Sequence, residues 1–147
     1  MKKKKHDWNT WENYLRVHEN VLKKYKDNFP SHMPKYAVEM ITDQYYILKL
    51  EKLELITIKG TSVQVSIEKD VEIQEGGRKP VAKTVGYSYK AWIKGGKNLI
   101  RYCSPHDTHN QFHHKHDFTQ DPPTVIRLNN DEYPHVSEFL SELINKF

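Results

Sequence analysis

Five of the nine histidines of this 147-residue chain fall in one short stretch, from Arg101 to Asp117. They occupy positions 106, 109, 113, 114 and 116. Imidazole titrates near neutral pH and also binds metals, so the cluster concentrates proton-transfer and ligand capacity in one segment. Arg101 and Lys115 add the positive charge that a bound phosphate group requires. The stretch therefore predicts a phosphate-handling site.

The chemistry that these residue types support without a metal is cleavage of RNA. That reaction needs a base for the 2′-hydroxyl proton, an acid for the leaving oxygen, and cations for the charged phosphorane. We assign the acid and base roles to His106, His114 and His116, with His113 as a further catalytic candidate. Arg101 and Lys115 are assigned to the phosphate, and either Tyr89 or Tyr102 is expected to stack on a base.

The order of the cluster also predicts which side chains share a face. Alternate residues of an extended segment point to the same side. His114 and His116 should therefore point one way, and His113 and Lys115 the other. The side that Arg101 takes depends on strand register, because a slip of one residue would reverse it.

Other functions fit the same residues. One alternative is a metal-dependent phosphodiester hydrolase, because three or four histidines can bind Zn²⁺ or another divalent metal. Asp107 and Asp117 would be further ligands or partners that orient the imidazoles. No H-E-x-x-H or C-x-x-C spacing fixes such a site, so we assign no metal. A nucleophilic pair of Cys103 with a histidine is the less favoured enzyme. A non-catalytic module that binds RNA or protein stays open.

Composition sets the broader expectations. Lys and Arg outnumber Asp and Glu by 23 to 19, which gives a net charge of +4 and favours acidic partners such as RNA. The single cysteine allows no intrachain disulfide. The run Lys2 to Lys5 is not followed by the apolar stretch of a secretion signal, and no run is long enough for a bilayer. We expect a single cytoplasmic domain over 1–147, and no membrane partner.

The hydrophobic pattern predicts the elements that must position the cluster. Apolar residues at helical spacing mark a helix over 7–26 and an amphipathic helix over 136–147, the latter capped by Asn130 or Asp131. Between them, alternating residues predict strands, including a hairpin that turns at Gly95-Gly96 and delivers Arg101. Residues 36–41 fit a helix or a strand. The fold class is α+β: an antiparallel sheet of about five or six strands with a helix at each chain end.

Several of these segments together resemble the TumE-like toxins of toxin-antitoxin modules. The resemblance rests on Tyr87-Ser88-Tyr89, on Gly95-Gly96 leading to Arg101-Tyr102, on Pro105-His106 and on His113-His114-Lys115-His116. It covers roughly residues 45–147, within a toxin region placed at 36–147. Residues 1–35 form a helical extension outside it. Where the family shows a polar pair after the Arg-aromatic step and two histidines after the proline, this chain has Cys103-Ser104 and a single His106.

The resemblance implies a function and a partner. It implies toxicity to the host cell, RNA as the target, and a cognate helix-turn-helix antitoxin. The family likeness agrees with the chemistry of the histidine cluster, and it leaves the oligomeric state open.

Overall fold

The computed structural model describes residues 6–30, 32–75, 77, 79–105, 112–129 and 132–147. Its described part contains eight β-strands, two α-helices and one turn of 3₁₀ helix at Lys26–Asn28. The helices are α1 (Trp11–Lys24) and α2 (Val136–Lys146). The strands are β1 (Asp7–Trp8), β2 (Ala37–Thr42), β3 (Tyr45–Ile56), β4 (Ser62–Gln74), β5 (Val81–Ile93), β6 (Asn98–Cys103), β7 (His113–Asp117) and β8 (Thr124–Leu128).

The strands form one continuous antiparallel sheet. Strands β2 to β8 lie side by side in chain order, and β1 pairs with β5. Each neighbouring pair in this order is antiparallel, so consecutive strands are joined without a crossover. The predicted α+β class with a helix near each end is confirmed, and the sheet is larger than the five or six strands expected. Residues 37–42 form a strand, which settles the open choice for that segment.

The hairpin of β5 and β6 shows how the sequence specifies this sheet locally. Residues of β5 alternate between buried and more exposed positions, so one side of the strand faces the core. Gly95 in the turn has a φ of +71°, a backbone conformation that favours glycine over residues with a Cβ. The turn places Arg101 of β6 directly opposite Lys90 of β5.

Both helices pack on the same face of the sheet. The fully buried residues Phe139, Leu140 and Leu143 of α2 join Tyr89 and other strand residues in the larger of two core clusters. Tyr14 of α1 belongs to the second cluster. Burying apolar surface is the main stabilising term of such a two-layer fold. The described residues place no helix on the opposite face, which we call the polar face.

One predicted helix start and one predicted helix cap were wrong. Helix α1 begins at Trp11, not at Asp7, because Thr10 caps it by accepting a hydrogen bond from Asn13 N. Trp8 belongs instead to β1. Helix α2 is capped by His135, whose side chain accepts from Ser137 N, rather than by Asn130 or Asp131, which lie outside the described residues. Imidazole nitrogen is an uncommon capping acceptor, so the usual Asn/Asp preference misplaced this cap.

Candidate active site

The candidate site forms where β6 and β7 pair across the segment rich in histidine. The register places His114 opposite Cys103 and His116 opposite Arg101. Directly opposed residues of antiparallel strands share a face, and residues two apart along a strand share it too. Arg101, Cys103, His114 and His116 therefore all lie on the polar face. The predicted common face of His114 and His116 is confirmed.

The two imidazoles of this group are close and lie in different environments. The ring centroids of His114 and His116 are 4.9 Å apart, with the rings nearly perpendicular. His114 is buried, and His116 is half-buried. His114 Nδ1 lies 2.9 Å from the carbonyl oxygen of Phe112, which can only accept, so Nδ1 carries the proton. In the neutral ring, the lone pair able to accept a proton or bind a metal is then on Nε2.

Arg101 brings a guanidinium to the same face. Its Nε donates a hydrogen bond to Cys103 Sγ over 3.1 Å, so its position is fixed by a neighbour within the site. The terminal Nη groups of an arginine are its further donors, and they suit the non-bridging oxygens of a phosphate. The assignment of Arg101 to phosphate stays a prediction, and its placement beside His116 agrees with it.

Lys115 and His113 lie on the other face, as the alternation predicted. Lys115 Nζ is 2.9 Å from Glu142 Oε2 of α2 and lies over the ring of Tyr102. His113 Nδ1 is 2.8 Å from the hydroxyl of Tyr87, and its ring stacks on Tyr133 at 4.5 Å. The phosphate role of Lys115 and the catalytic role of His113 were therefore wrong for this arrangement, since the sheet separates both from His114 and His116.

The two tyrosines expected to stack on a base are part of the core. Tyr89 is fully buried and packs against Phe139 of α2. Tyr102 is 7% exposed, and its hydroxyl donates to Glu142 Oε1 over 2.9 Å. Burial raises the pKa of both phenols above the ordinary range, and nearby Glu142 raises the pKa of Tyr102 further. The stacking prediction was wrong because the helices cover the face that these rings occupy.

The polar face carries a different aromatic residue beside a groove. Trp92 lies two positions along β5 from Lys90, on the side away from the helices, and its Nε1 donates to Gln64 Oε1 over 3.0 Å. The groove has a volume of about 440 Å³. Its lining includes Trp92, three lysines and two carboxylates: Lys49, Lys52, Lys90, Glu51 and Glu68. A bulge in β3 between Leu50 and Leu53 places Lys52 on this rim.

The groove borders the strand that carries part of the histidine site. Ser88 of the groove pairs with Cys103, and Lys90 pairs with Arg101. A ligand that lay along the groove would therefore reach the histidines by crossing a single strand. Trp92 was not among the site residues predicted from sequence. The alternation of β5 was nevertheless a usable signal, because it puts Trp92 on the face opposite to Tyr89.

Other predicted residues take no part in the described site. The Asp117 side chain accepts hydrogen bonds from the amide and hydroxyl of Thr119, which lower its pKa, and it lies on the helix face. His18 is a core histidine bonded to a carbonyl: its Nδ1 is 2.8 Å from Tyr14 O, and burial lowers its pKa. His106, Asp107 and His109 lie outside the described residues, so the catalytic role of His106 stays a prediction.

One group of potential metal ligands occurs among the described residues. One atom each of Cys103, His114 and His116 can be chosen so that all lie within 4.8 Å of one another. Residue spacing did not indicate this set, because ten residues separate Cys103 from His114 along the chain. The strand register is what brings the thiol beside the imidazoles.

Comparisons with other proteins return no relative from which a class or a name could be taken. No protein-family model matches the chain, and searches of curated proteins and of solved structures find no match. Within the described residues, every helix is too short or too polar to cross a bilayer.

Proposed function

We propose that this chain is a toxin of the TumE-like class that cleaves RNA by metal-independent acid–base catalysis. The observation that carries the proposal is the placement of His114 and His116 side by side on the polar face, next to Arg101. The sequence resemblance supports the same conclusion, because its most specific part is the segment that contains both histidines. The resemblance also supports a helix-turn-helix antitoxin as the partner that restrains the toxin in the cell.

The reaction assigns a role to each group. His114 Nε2 takes the proton of the 2′-hydroxyl, because its Nδ1 is held by Phe112 O and its lone pair is on Nε2. Since Nε2 is buried, this step requires the groups that cover the ring to move away when the substrate binds. O2′ then attacks phosphorus, and the bond to the 5′ oxygen breaks. The more exposed His116, in its protonated form, gives its proton to that leaving oxygen. Arg101 binds the non-bridging oxygens and stabilises the added charge on the phosphorane.

The groove supports a single-stranded substrate. Single-stranded RNA binds to proteins through cations that follow its backbone and aromatic rings that stack on its bases. Lys52 and Lys90 provide cations, and Trp92 provides the ring. Lys49 is a third cation of the groove and is paired with Glu68 over 3.6 Å, a pair that an RNA phosphate would have to replace. The pairing of Lys90 with Arg101 supports this arrangement, because an RNA strand in the groove would have a phosphate within one strand of Arg101 and the two histidines.

Growth of cells expressing the chain tests the proposal. The native chain should arrest growth, and the double variant His114→Ala/His116→Ala should restore it. His32→Ala is the matched control, since His32 is an exposed histidine outside the site. Circular dichroism of the purified double variant must show a native-like fold. Unimpaired growth with the native chain, or equal arrest by the folded double variant, would contradict the proposal.

A further inference from the structure

Cys103, His114 and His116 form a compact set of three ligand groups on the polar face. Cys103 and His114 are directly opposed in the register, and His116 lies two positions further along β7. Their ligand atoms lie within 4.8 Å of one another. Two adjacent strands hold all three residues, so the backbone that carries the set is fixed by the ladder of β6 and β7.

We propose that these three residues bind a single divalent ion of the Zn²⁺ type. One thiolate and two imidazoles are a ligand set that Zn²⁺ prefers, and Zn²⁺ needs only modest adjustment of side chains because it has no strict geometric demand of its own. Three protein ligands would leave the fourth tetrahedral position for water or another small ligand. Cys103 and His114 are only 3% and 4% exposed, which limits competition by solvent for the bound ion.

Two hydrogen bonds already orient these ligand groups. The bond between His114 Nδ1 and Phe112 O puts the lone pair on Nε2, which is how metal-binding histidines are commonly held. Arg101 Nε donates to Cys103 Sγ over 3.1 Å. Cysteine binds metals as the thiolate, and a donor from a cation stabilises negative charge on sulfur. Both hydrogen bonds are of the kind that orients the ligand side chains of a metal site.

The ion would oppose the proposed cleavage, and this consequence rests on the proposed function. A metal-bound imidazole has given its lone pair to the ion and cannot exchange a proton at that nitrogen. The ion-bound chain and the proton-transferring chain are therefore alternative states of the same two histidines. Occupancy of the site by Zn²⁺ inhibits cleavage of RNA.

Titration of the purified, metal-free chain with Co²⁺ tests the site without any assay of activity. Binding at these residues should give visible bands of tetrahedral Co²⁺ and an ultraviolet charge-transfer band from the thiolate, saturating at one ion per chain. Excess Zn²⁺ should remove both. Cys103→Ser should lose the charge-transfer band and bind at least about tenfold more weakly. His32→Gln should behave as the native chain.

The results that would overturn the site are equally direct. They are the absence of Co²⁺ bands in the native chain, a spectrum without the thiolate band, or equal affinity in a folded Cys103→Ser variant. Because these readouts are spectroscopic, they decide the metal site even if the chain proves unable to cleave RNA.

The inhibition is tested separately, by RNA cleavage in chelator and after addition of one equivalent of Zn²⁺. Each variant is normalised to its own rate in chelator. Zn²⁺ should suppress cleavage by the native chain at least about tenfold and that by Cys103→Ser much less. Stimulation by Zn²⁺, or equal suppression of both, would overturn the inhibition. Absence of cleavage in chelator would instead contradict the proposed function.

Discussion

The position of Trp92 changes which aromatic ring is expected to stack on a base of the substrate. It lies on the polar face beside Lys90, and a hydrogen bond to Gln64 fixes its ring edge. The tyrosines on the other side of the same strand are covered by α2. Stacking on an RNA base, if it occurs in this groove, therefore depends on the indole.

Replacing Trp92 tests this role. Stacking of one base on an aromatic ring contributes about 1–3 kcal/mol, so Trp92→Ala should weaken binding of a single-stranded RNA by about tenfold or more. Trp92→Phe keeps an aromatic face and should retain most of the affinity. Fluorescence anisotropy with a 2′-O-methylated oligonucleotide measures binding while cleavage is blocked.

The control is Ile58→Ala, an exposed residue between β3 and β4 that lies outside both the groove and the histidine site. It should leave the affinity unchanged. Native affinity in Trp92→Ala would show that the groove does not use this ring.

At the scale of elements, the contact between β7 and α2 depends on one carboxylate. Glu142 accepts from Tyr102 Oη and from Lys115 Nζ, both at 2.9 Å. The Lys115 side chain is 14% exposed and that of Glu142 is 26% exposed, so solvent screens this pair only partly. The contact positions β7, and with it the two histidines on the opposite side of the strand.

A pair of substitutions tests this contact. Glu142→Leu leaves the Lys115 ammonium and the Tyr102 hydroxyl without this acceptor, so the free energy of unfolding should fall by about 1–3 kcal/mol. Lys115→Met together with Glu142→Leu removes both charges and should recover part of that loss, because an apolar pair can replace an ion pair of this kind. Urea unfolding of the native chain, both single variants and the double variant gives the coupling energy. Additive losses would contradict the proposed coupling.

The alternation of residues along a strand was the most reliable guide to this part of the molecule. It predicted the hairpin of β5 and β6 and the opposite faces of His114 and Lys115, because a period of two is a local property of extended chain. It did not predict which face the helices would cover. Tyr89 was therefore expected to stack on an RNA base, whereas it lies in the core. That choice depends on tertiary packing rather than on the strand itself.

The site was predictable only in part for a related reason. The side-by-side placement of His114 and His116 follows from their spacing alone. The placement of Cys103 and Arg101 beside them follows from the register of β6 on β7, which no nearby turn residue specifies. The capping role of His135 was equally hidden, because histidine is seldom recognised as a helix cap from sequence.

At the scale of the whole molecule, the two faces of the sheet have different surroundings. The helices α1 and α2 cover one face and form the core with it. The other face, in the described part of the chain, presents polar strand residues, the groove and the histidine site. The chain as a whole carries a net charge of +4, which favours acidic partners in general. We predict that the ligand of this face is RNA and that His114 and His116 cleave it.

The most direct test is the fate of an RNA oligonucleotide that carries a single 2′-deoxynucleotide at the mapped cleavage position, incubated with the native chain in chelator. We predict that the unmodified RNA is cut to a 2′,3′-cyclic phosphate and a 5′-hydroxyl, and that the deoxy substitution abolishes the cut because it removes the attacking oxygen. Cleavage that persists at the 2′-deoxynucleotide would contradict acid–base catalysis by His114 and His116, as would unmodified RNA that stays intact.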